Sequence, residues 1–473
     1  MTQPGEHPHE GGGRLVGTFV VLMVAVTIFA VLQAMIIPVL PTIQHELGTS
    51  AREVSWVLSA YLMAAAVAMP VVGRLGDVHG KKRILVAVLA LTAIGSLIAA
   101  FAPDIIVMII ARIIQGVGGA IVPLSLGIVR DVFPDRHTPR AVGALSALGG
   151  IGAGIGLVLA GPIVDVLGYR WLFLAPMLLT VLTVIAAIVV LPRSPGRGGA
   201  VSWLPAPFLG AMLVAFLLAT TQATSWGWLD LRTIGAYAGC VLFGAIWLAA
   251  ERRVRHPLID PQLLVAPHLR SANLVGFLLG FAMFGVYAYV PQFLQTPRSA
   301  GYGFDATVLQ SGLVLTPMVL AVFAGGLLAS RLERAFGART VVVAASVVMA
   351  LGLAALTVGR SDIWAVTAIL AVYGLALGVN LASLSTIVVF AAPRAATAVA
   401  SAINFNLRNI GGAVGAAAMA TIVTADLLDG GLPAEGGYLV GFLVFAAAMV
   451  AAAALALTIP RGSHLPQPEV SLR

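Results

Sequence analysis

Two arginines, Arg112 and Arg408, stand inside long apolar runs of this 473-residue chain. Arg112 is followed one helical turn later by Gln115 and then by Gly116, Gly118 and Gly119. Arg408 comes four residues after Asn404, so the two share a helix face, as Gly411 and Gly415 do beyond them. A guanidinium two turns inside a membrane span costs about 2.5–3.5 kcal/mol on insertion scales, so it has to face a polar interior and find a partner there. The plainer alternatives are a snorkelling side chain for Arg112 and a structural polar network for Asn404 and Arg408. Gln33, Tyr61 and Asn380 stand alone in other apolar runs and join Arg112, Gln115, Asn404 and Arg408 as candidates to line a central cavity. The chemistry open to such a set is recognition through charge and hydrogen bonds. Catalysis is not expected, because no nucleophile, base or metal ligands cluster at one depth. All eight histidines fall in loops or tails, and the one cysteine, Cys240, reads as a small buried apolar residue. No cofactor is expected either: the glycine-rich stretch 149–156 lies inside an apolar run with no strand before it, which is wrong for a dinucleotide loop.

The elements that must hold these groups are membrane helices. Hydrophobic residues make up 60% of the chain and charged residues 10%, with a mean hydropathy of +1.01, whereas a soluble domain is about 25% charged. Apolar runs of roughly twenty residues recur and alternating strands of about ten do not, which excludes a barrel. Fourteen spans are expected, at 15–41, 54–73, 84–103, 105–129, 141–166, 171–192, 206–226, 233–250, 271–293, 308–330, 340–359, 363–390, 396–425 and 437–459. The first is too long for a signal peptide and lacks a small-residue cleavage site. An even count puts both termini on one side. With that side cytoplasmic, 20 of the 27 Lys and Arg residues fall in cytoplasmic segments. Only Arg52, Arg170, Arg232, Arg298 and Arg360 fall in external loops, which satisfies the positive-inside rule. The net charge of +8 then needs no nucleic acid to explain it.

Between the second and third spans stand Gly73, Arg74, Asp77, His79, Gly80, Lys81, Lys82 and Arg83, a cluster that is costly inside lipid and tolerated at its surface. It reads as a tight cytoplasmic turn. A weak echo, residues 330–339, follows the tenth span, and superposing the two lays spans one to six over spans nine to fourteen. The expected organisation is a cytoplasmic tail at 1–14, an N-terminal six-helix bundle at 15–192 and a linker with two extra spans at 193–267. A C-terminal six-helix bundle at 268–460 and a second cytoplasmic tail at 461–473 complete it.

The cluster from Gly73 to Arg83 resembles the loop between the second and third helices of major facilitator superfamily transporters. Arg112, Gln115 and the glycines after them resemble that family's motif of a membrane-embedded arginine, and the run from Asn404 to Gly415 is similar to the corresponding helix of its fourteen-span drug:proton antiporter branch. The resemblance covers nearly the whole chain. It implies an all-α major facilitator fold, two six-helix bundles plus two extra transmembrane helices. It also implies a secondary active exporter of small amphipathic organic molecules (drug, antibiotic or natural product), exchanged for protons by alternating access. Such a protein would sit as a monomer in the lipid bilayer of a bacterial cytoplasmic membrane. Asp77 would hold the inner gate shut by accepting bonds from a helix amino terminus or by pairing with Arg130.

Two departures bear on coupling. Gly152, Gly156, Gly161 and Pro162 of the fifth span resemble the family's antiporter motif, but Leu157 and Ala160 replace a proline and a glycine of it. Spacing alone predicts close helix contact at Gly152 and Gly156, with alanine tolerated at Gly156 and leucine not. In the first span, Leu32 stands where related antiporters commonly place an aspartate. Every Asp and Glu falls at a span end or in a loop. Proton coupling needs a carboxylate whose surroundings alternate between wet and dry, and the deepest one here is Asp165, near an outer boundary. A uniporter or lipid translocator on the same fold is the alternative, with a membrane sensor or enzyme further off. Arg112 and Arg408, without a mid-membrane acid, argue against dicationic cargo and toward neutral or anionic, partly aromatic molecules.

Overall fold

The computed structural model describes residues 12–36, 39–194, 196, 198, 201–428 and 432–460. Among them run fourteen long helices: α1 (Gly12–Ala34), α2 (Ala51–His79), α3 (Lys81–Ala100), α4 (Ile105–Val132), α5 (Thr138–Leu167), α6 (Trp171–Val190), α7 (Ala206–Trp226), α8 (Leu231–Arg253), α9 (Pro267–Gln295), α10 (Val308–Phe336), α11 (Ala338–Gly359), α12 (Ile363–Ala391), α13 (Thr397–Val423) and α14 (Glu435–Ala456). Twelve are long and apolar enough to cross a membrane, and α5 makes a thirteenth when its bent halves are taken as one span. The remaining helix, α13, is long enough at 27 residues, about 40 Å at 1.5 Å per residue, but carries Ser401, Asn404, Asn406, Arg408 and Asn409.

Helix pairing shows two bundles built alike. In the first, α1 packs on α5, α2 on α4 and α3 on α6; in the second, α9 packs on α13, α10 on α12 and α11 on α14. The bundles meet where α2 lies against α13 and where α5 lies against α10 and α12. The extra pair, α7 and α8, covers the α2–α13 seam, with Leu209, Leu213 and Trp247 packed among Val67, Val71, Val399 and Ile403. Leu91, Ile94 and Leu97 of α3, Leu182 and Ile185 of α6, and Val241 and Leu242 of α8 are exposed. Such a surface suits hydrocarbon and would be unusual against water.

The internal repeat is sharpest at α2 and α10. Both have 29 residues, and both begin with a capping box, Ser50 with Glu53 and Thr307 with Gln310. Both end on a glycine in a left-handed conformation, Gly80 at φ 99° and Gly337 at φ 80°, which lets the chain reverse with a single residue between helices. The turn expected over Gly73 to Arg83 is therefore confined to Gly80. Gly73 to His79 form the last two turns of α2, and Lys81, Lys82 and Arg83 start α3.

The first span is also shorter than expected. α1 stops at Ala34, and a separate short helix, Leu40–Glu46, opens with Pro41 in its first turn, where the N–H that proline lacks has no partner within the helix anyway. Apart from residues 12–14, the two expected tails fall outside the described residues.

Candidate functional site

Polar side chains of α1, α5, α9, α12 and α13 converge on a cavity of about 300 Å³ between the bundles. Aromatic and aliphatic groups form most of its wall, among them Phe29, Val122, Leu126, Phe284, Leu381 and Phe405. Polar groups are contributed by Gln33, Ser146, Tyr287, Ser385, Ser401, Asn404 and Asn409. Among the described residues one charged side chain lines it, Arg408.

Of the seven residues expected at a central cavity, three are brought together there: Gln33, Asn404 and Arg408. Asn404 is held in place by bonds from its amide to the Ala272 carbonyl at 3.1 Å and to Asn273 Oδ1 at 3.2 Å on α9. The other four do not line it. Arg112 is turned into the first bundle, fully buried, its Nε donating to the Val57 carbonyl at 3.1 Å and its NH1 to Gln115 Oε1 at 2.6 Å. Gln115 passes the connection on by donating to Ser96 Oγ at 2.9 Å. Tyr61 lies under the Arg112 guanidinium, 4.2 Å from ring centroid to Cζ. Asn380 is fully buried and donates to Ser346 Oγ at 2.8 Å, tying α12 to α11. Partners inside the same bundle, hydrogen bonds for Arg112, Gln115 and Asn380 and the arginine's cation–π contact for Tyr61, turn these groups away from the cavity.

The loops rich in basic residues lie at one end of the bundles, and charged groups join the bundles at that end. Asp77 accepts from the backbone N–H of Val399 at 3.0 Å and of Ala398 at 3.3 Å, the first turn of α13. A carboxylate on the orphan N–H groups of a helix start is favoured by hydrogen bonding and by the helix dipole. Its ionic partner is Lys81 at 3.2 Å, which also reaches Asp131 at 2.7 Å. The pairing of Asp77 with Arg130 expected from sequence is not formed. Arg130 instead binds Asp135 at 2.7 Å and stacks over Phe390 of the second bundle, while Arg394 of that bundle reaches the same Asp135 at 3.4 Å. Lys82 caps the end of α6 by donating to the Ile188 carbonyl at 2.8 Å and to that of Leu191; Arg83 is exposed.

Packing follows the same division. A Cβ on Gly73 would stand 3.1 Å from the Ala398 carbonyl oxygen, and one on Gly143 would stand 2.7 Å from that of Gly326. The apolar core at the basic end of the first bundle takes in Val389 and Ala398 from the second, whereas the core at the opposite end holds residues of the first bundle alone. Midway, Asn406 donates to the Ala66 carbonyl of α2 at 2.9 Å.

The fifth-span glycines divide. Cβ atoms on Gly152 and Gly156 would stand 2.6 Å from Ala30 Cβ and 2.7 Å from the Val31 carbonyl oxygen, so α1 and α5 touch through both. Even alanine at Gly156 would press on backbone, which corrects the expectation that it is tolerated. Gly161 and Pro162 are exposed and make no such contact.

Asp165 is exposed at the far end of α5 and has no hydrogen-bond or ion-pair partner among the described residues. Glu53, another carboxylate near that end, is occupied as a cap: the Ser50 backbone N–H, then the hydroxyls of Thr49 and Ser50, pull its pKa down to about 2, which keeps it charged.

Sequence reasoning missed Tyr287, Phe284, Phe405, Ser146, Ser401 and Asn409 in the wall. The aromatic ones look like core residues, and only Asn409, beside Arg408, carried a polar signal within a motif.

The Major Facilitator Superfamily description matches residues 22–416. An uncharacterised MFS-type transporter of Mycobacterium tuberculosis (strain ATCC 25618 / H37Rv) is 32% identical over 316 residues, which make up 64% of this chain and 44% of that one. The chain thus spans less than half the length of that relative. A methylenomycin A resistance protein of Bacillus subtilis (strain 168) is 30% identical over 387 residues, covering 80% of this chain and 81% of that one. Among solved structures, the proton:xylose symporter XylE bound to 6-bromo-6-deoxy-D-glucose superposes with a TM-score of 0.65 at 14% identity, over 95% of this chain and 96% of that one, a likeness of fold alone.

Proposed function

From a chain that belongs to the Major Facilitator Superfamily, we propose a secondary active exporter of small amphipathic organic molecules, resident as a monomer in a bacterial cytoplasmic membrane with both termini inside. The observation that carries this reading is the cavity at the bundle seam together with its closure at the basic end by Asp77 on the start of α13. The basic end faces the cytoplasm by the positive-inside rule, so the closed gate is the inner one. Transport then proceeds by alternating access. The bundles rock, Asp77 and its loop release α13, and the cavity opens inward to load before the latch reforms. The apolar wall with a few polar anchors suits a drug-sized molecule, and the resistance role printed in the name of the Bacillus relative supports cargo of antibiotic type.

Export is driven by the proton gradient in this reading. Uniport or lipid translocation is the second reading, favoured by one observation: among the described residues no Asp or Glu lines the cavity. Accumulation of an amphipathic dye by inverted vesicles, with and without an imposed proton gradient, tests both. Gradient-dependent accumulation is expected. Equilibration without accumulation would support the uniporter, and no uptake above vesicles lacking the protein would end the exporter reading.

A further inference from the structure

Arg408 is more than nine-tenths buried, lines the cavity, and makes no hydrogen bond or ion pair among the described residues. Its guanidinium stacks on the Phe405 ring, 4.3 Å from Cζ, and has the neutral Tyr287 side chain nearby in the wall. A cation on a desolvated ring gains roughly 2 kcal/mol, whereas the effective penalty of burying an unpaired ion is several kcal/mol. The guanidinium offers five N–H donors in a planar fork shaped for a carboxylate or another oxyanion. Among the described residues no acidic side chain lines the cavity to occupy that fork. Two further groups in the wall are unsatisfied, the hydroxyls of Ser146 on α5 and Ser401 on α13.

Resting on the exporter reading, we propose that the transported molecule is an aromatic or aliphatic monoanion whose single negative charge seats on Arg408 while its apolar body lies against Phe29, Phe284 and Phe405. Charge neutrality at the seat explains why the protein keeps an uncompensated cation in an apolar wall: the compensating charge arrives with the cargo. It also gives transport a direction. A monoanion leaving a cell that is negative inside gains about 2.3 kcal/mol per 100 mV, so the electrical part of the gradient drives export without a carboxylate in the cavity. A cation would meet both the repulsion of Arg408 and an opposing field.

Three probes with one ring system separate the charges: naphthoate (anion), naphthamide (neutral) and naphthylmethylammonium (cation). Equilibrium dialysis against the purified full chain should give naphthoate at least tenfold tighter binding than naphthamide, with the cation weakest. Arg408→Gln should remove the preference while leaving naphthamide binding within about twofold, which shows that the variant is folded, and Arg408→Lys should retain most of it. In inverted vesicles, a potassium–valinomycin potential, positive in the lumen and without a pH difference, should speed naphthoate uptake more than naphthamide uptake, because the anion carries one more charge down the field than the neutral probe. Three results would overturn the proposal: naphthoate binding no tighter than naphthamide or absent, a preference that survives Arg408→Gln, or displacement of naphthoate by millimolar chloride, which would make the seat one for an inorganic ion. Dye accumulation without any preference for anions would sink this inference and spare the exporter reading. Anion preference without uptake would do the reverse.

Discussion

In the first bundle Arg112 lies over the ring of Tyr61; in the second, Arg408 lies over the ring of Phe405, at nearly the same distance. The first arginine is enclosed in its own bundle, where a carbonyl and an amide take its Nε and NH1 and leave NH2 without a partner; the second makes no such bonds and faces the space between bundles. The seams differ in the same way. Asp77 ends α2 on the start of α13, but the corresponding position of α10, three residues before Gly337, is Arg334, which folds back onto its own Ser330 carbonyl at 3.1 Å. One duplicated framework thus carries a closed arginine and a latch in one half, an open arginine and no latch in the other. The comparison teaches that a buried charge is not itself a functional sign; its opening onto the cavity is.

The largest effects should come from the glycines that let each bundle close on itself. On the second bundle's α9–α13 contact, a Cβ at Gly411 would overlap the Phe277 carbonyl and one at Gly415 that of Phe281. The first bundle's α1–α5 contact is looser, with 2.7 Å from Gly156 to the Val31 oxygen. Gly411→Ala is expected to abolish transport and lower membrane abundance, Gly156→Ala to reduce transport severalfold, and Gly156→Leu to abolish it. Vesicle uptake normalised to protein in the membrane checks this, and equal tolerance of alanine at both glycines would remove the packing difference between bundles.

A smaller loss, at constant abundance, is expected for the latch. Asp77→Asn keeps the shape but gives up the charge that two backbone N–H groups and Lys81 share, and hydrogen bonds to a charged group contribute about 1.5–3 kcal/mol. Transport should fall at least fivefold while Arg334→Gln changes it by less than twofold. If both variants transport alike, the two seams are equivalent and Asp77 serves topology alone.

How much of this was readable beforehand depends on the physics of each feature. Bilayer thickness imposes runs of about twenty apolar residues, so fourteen helices and the eight-helix offset between bundles could be read directly. The length of a turn could not: Gly80 alone reverses the chain because its backbone adopts a left-handed conformation, which composition does not reveal. Nor could the depth and facing of polar groups. Arg112 with Gln115 and Arg408 with Asn404 look alike in sequence, each a cation one turn from an amide. Which one meets the cavity is decided by where Val57 and Ser96 stand, residues far off in the chain.

The smallest effect is expected at Asp165, the deepest acid in sequence and the one expected to couple protons. A coupling group has to exchange a wet surrounding for a dry one as the bundles rock, and its affinity for the proton has to change with that exchange. Asp165 lies at the end of α5 away from the basic loops, exposed, next to residues 166–168 that are exposed as well, and away from both seams that the rocking would open. Its surroundings change little in such a motion. Asp165→Asn should therefore leave substrate-induced proton flux in vesicles within about twofold of the parent, and substrate binding unaltered. Loss of flux with binding intact would make Asp165 the proton carrier after all. The first bundle would then hold the coupling group as well as the latch, and Arg408 would be left to bind cargo alone.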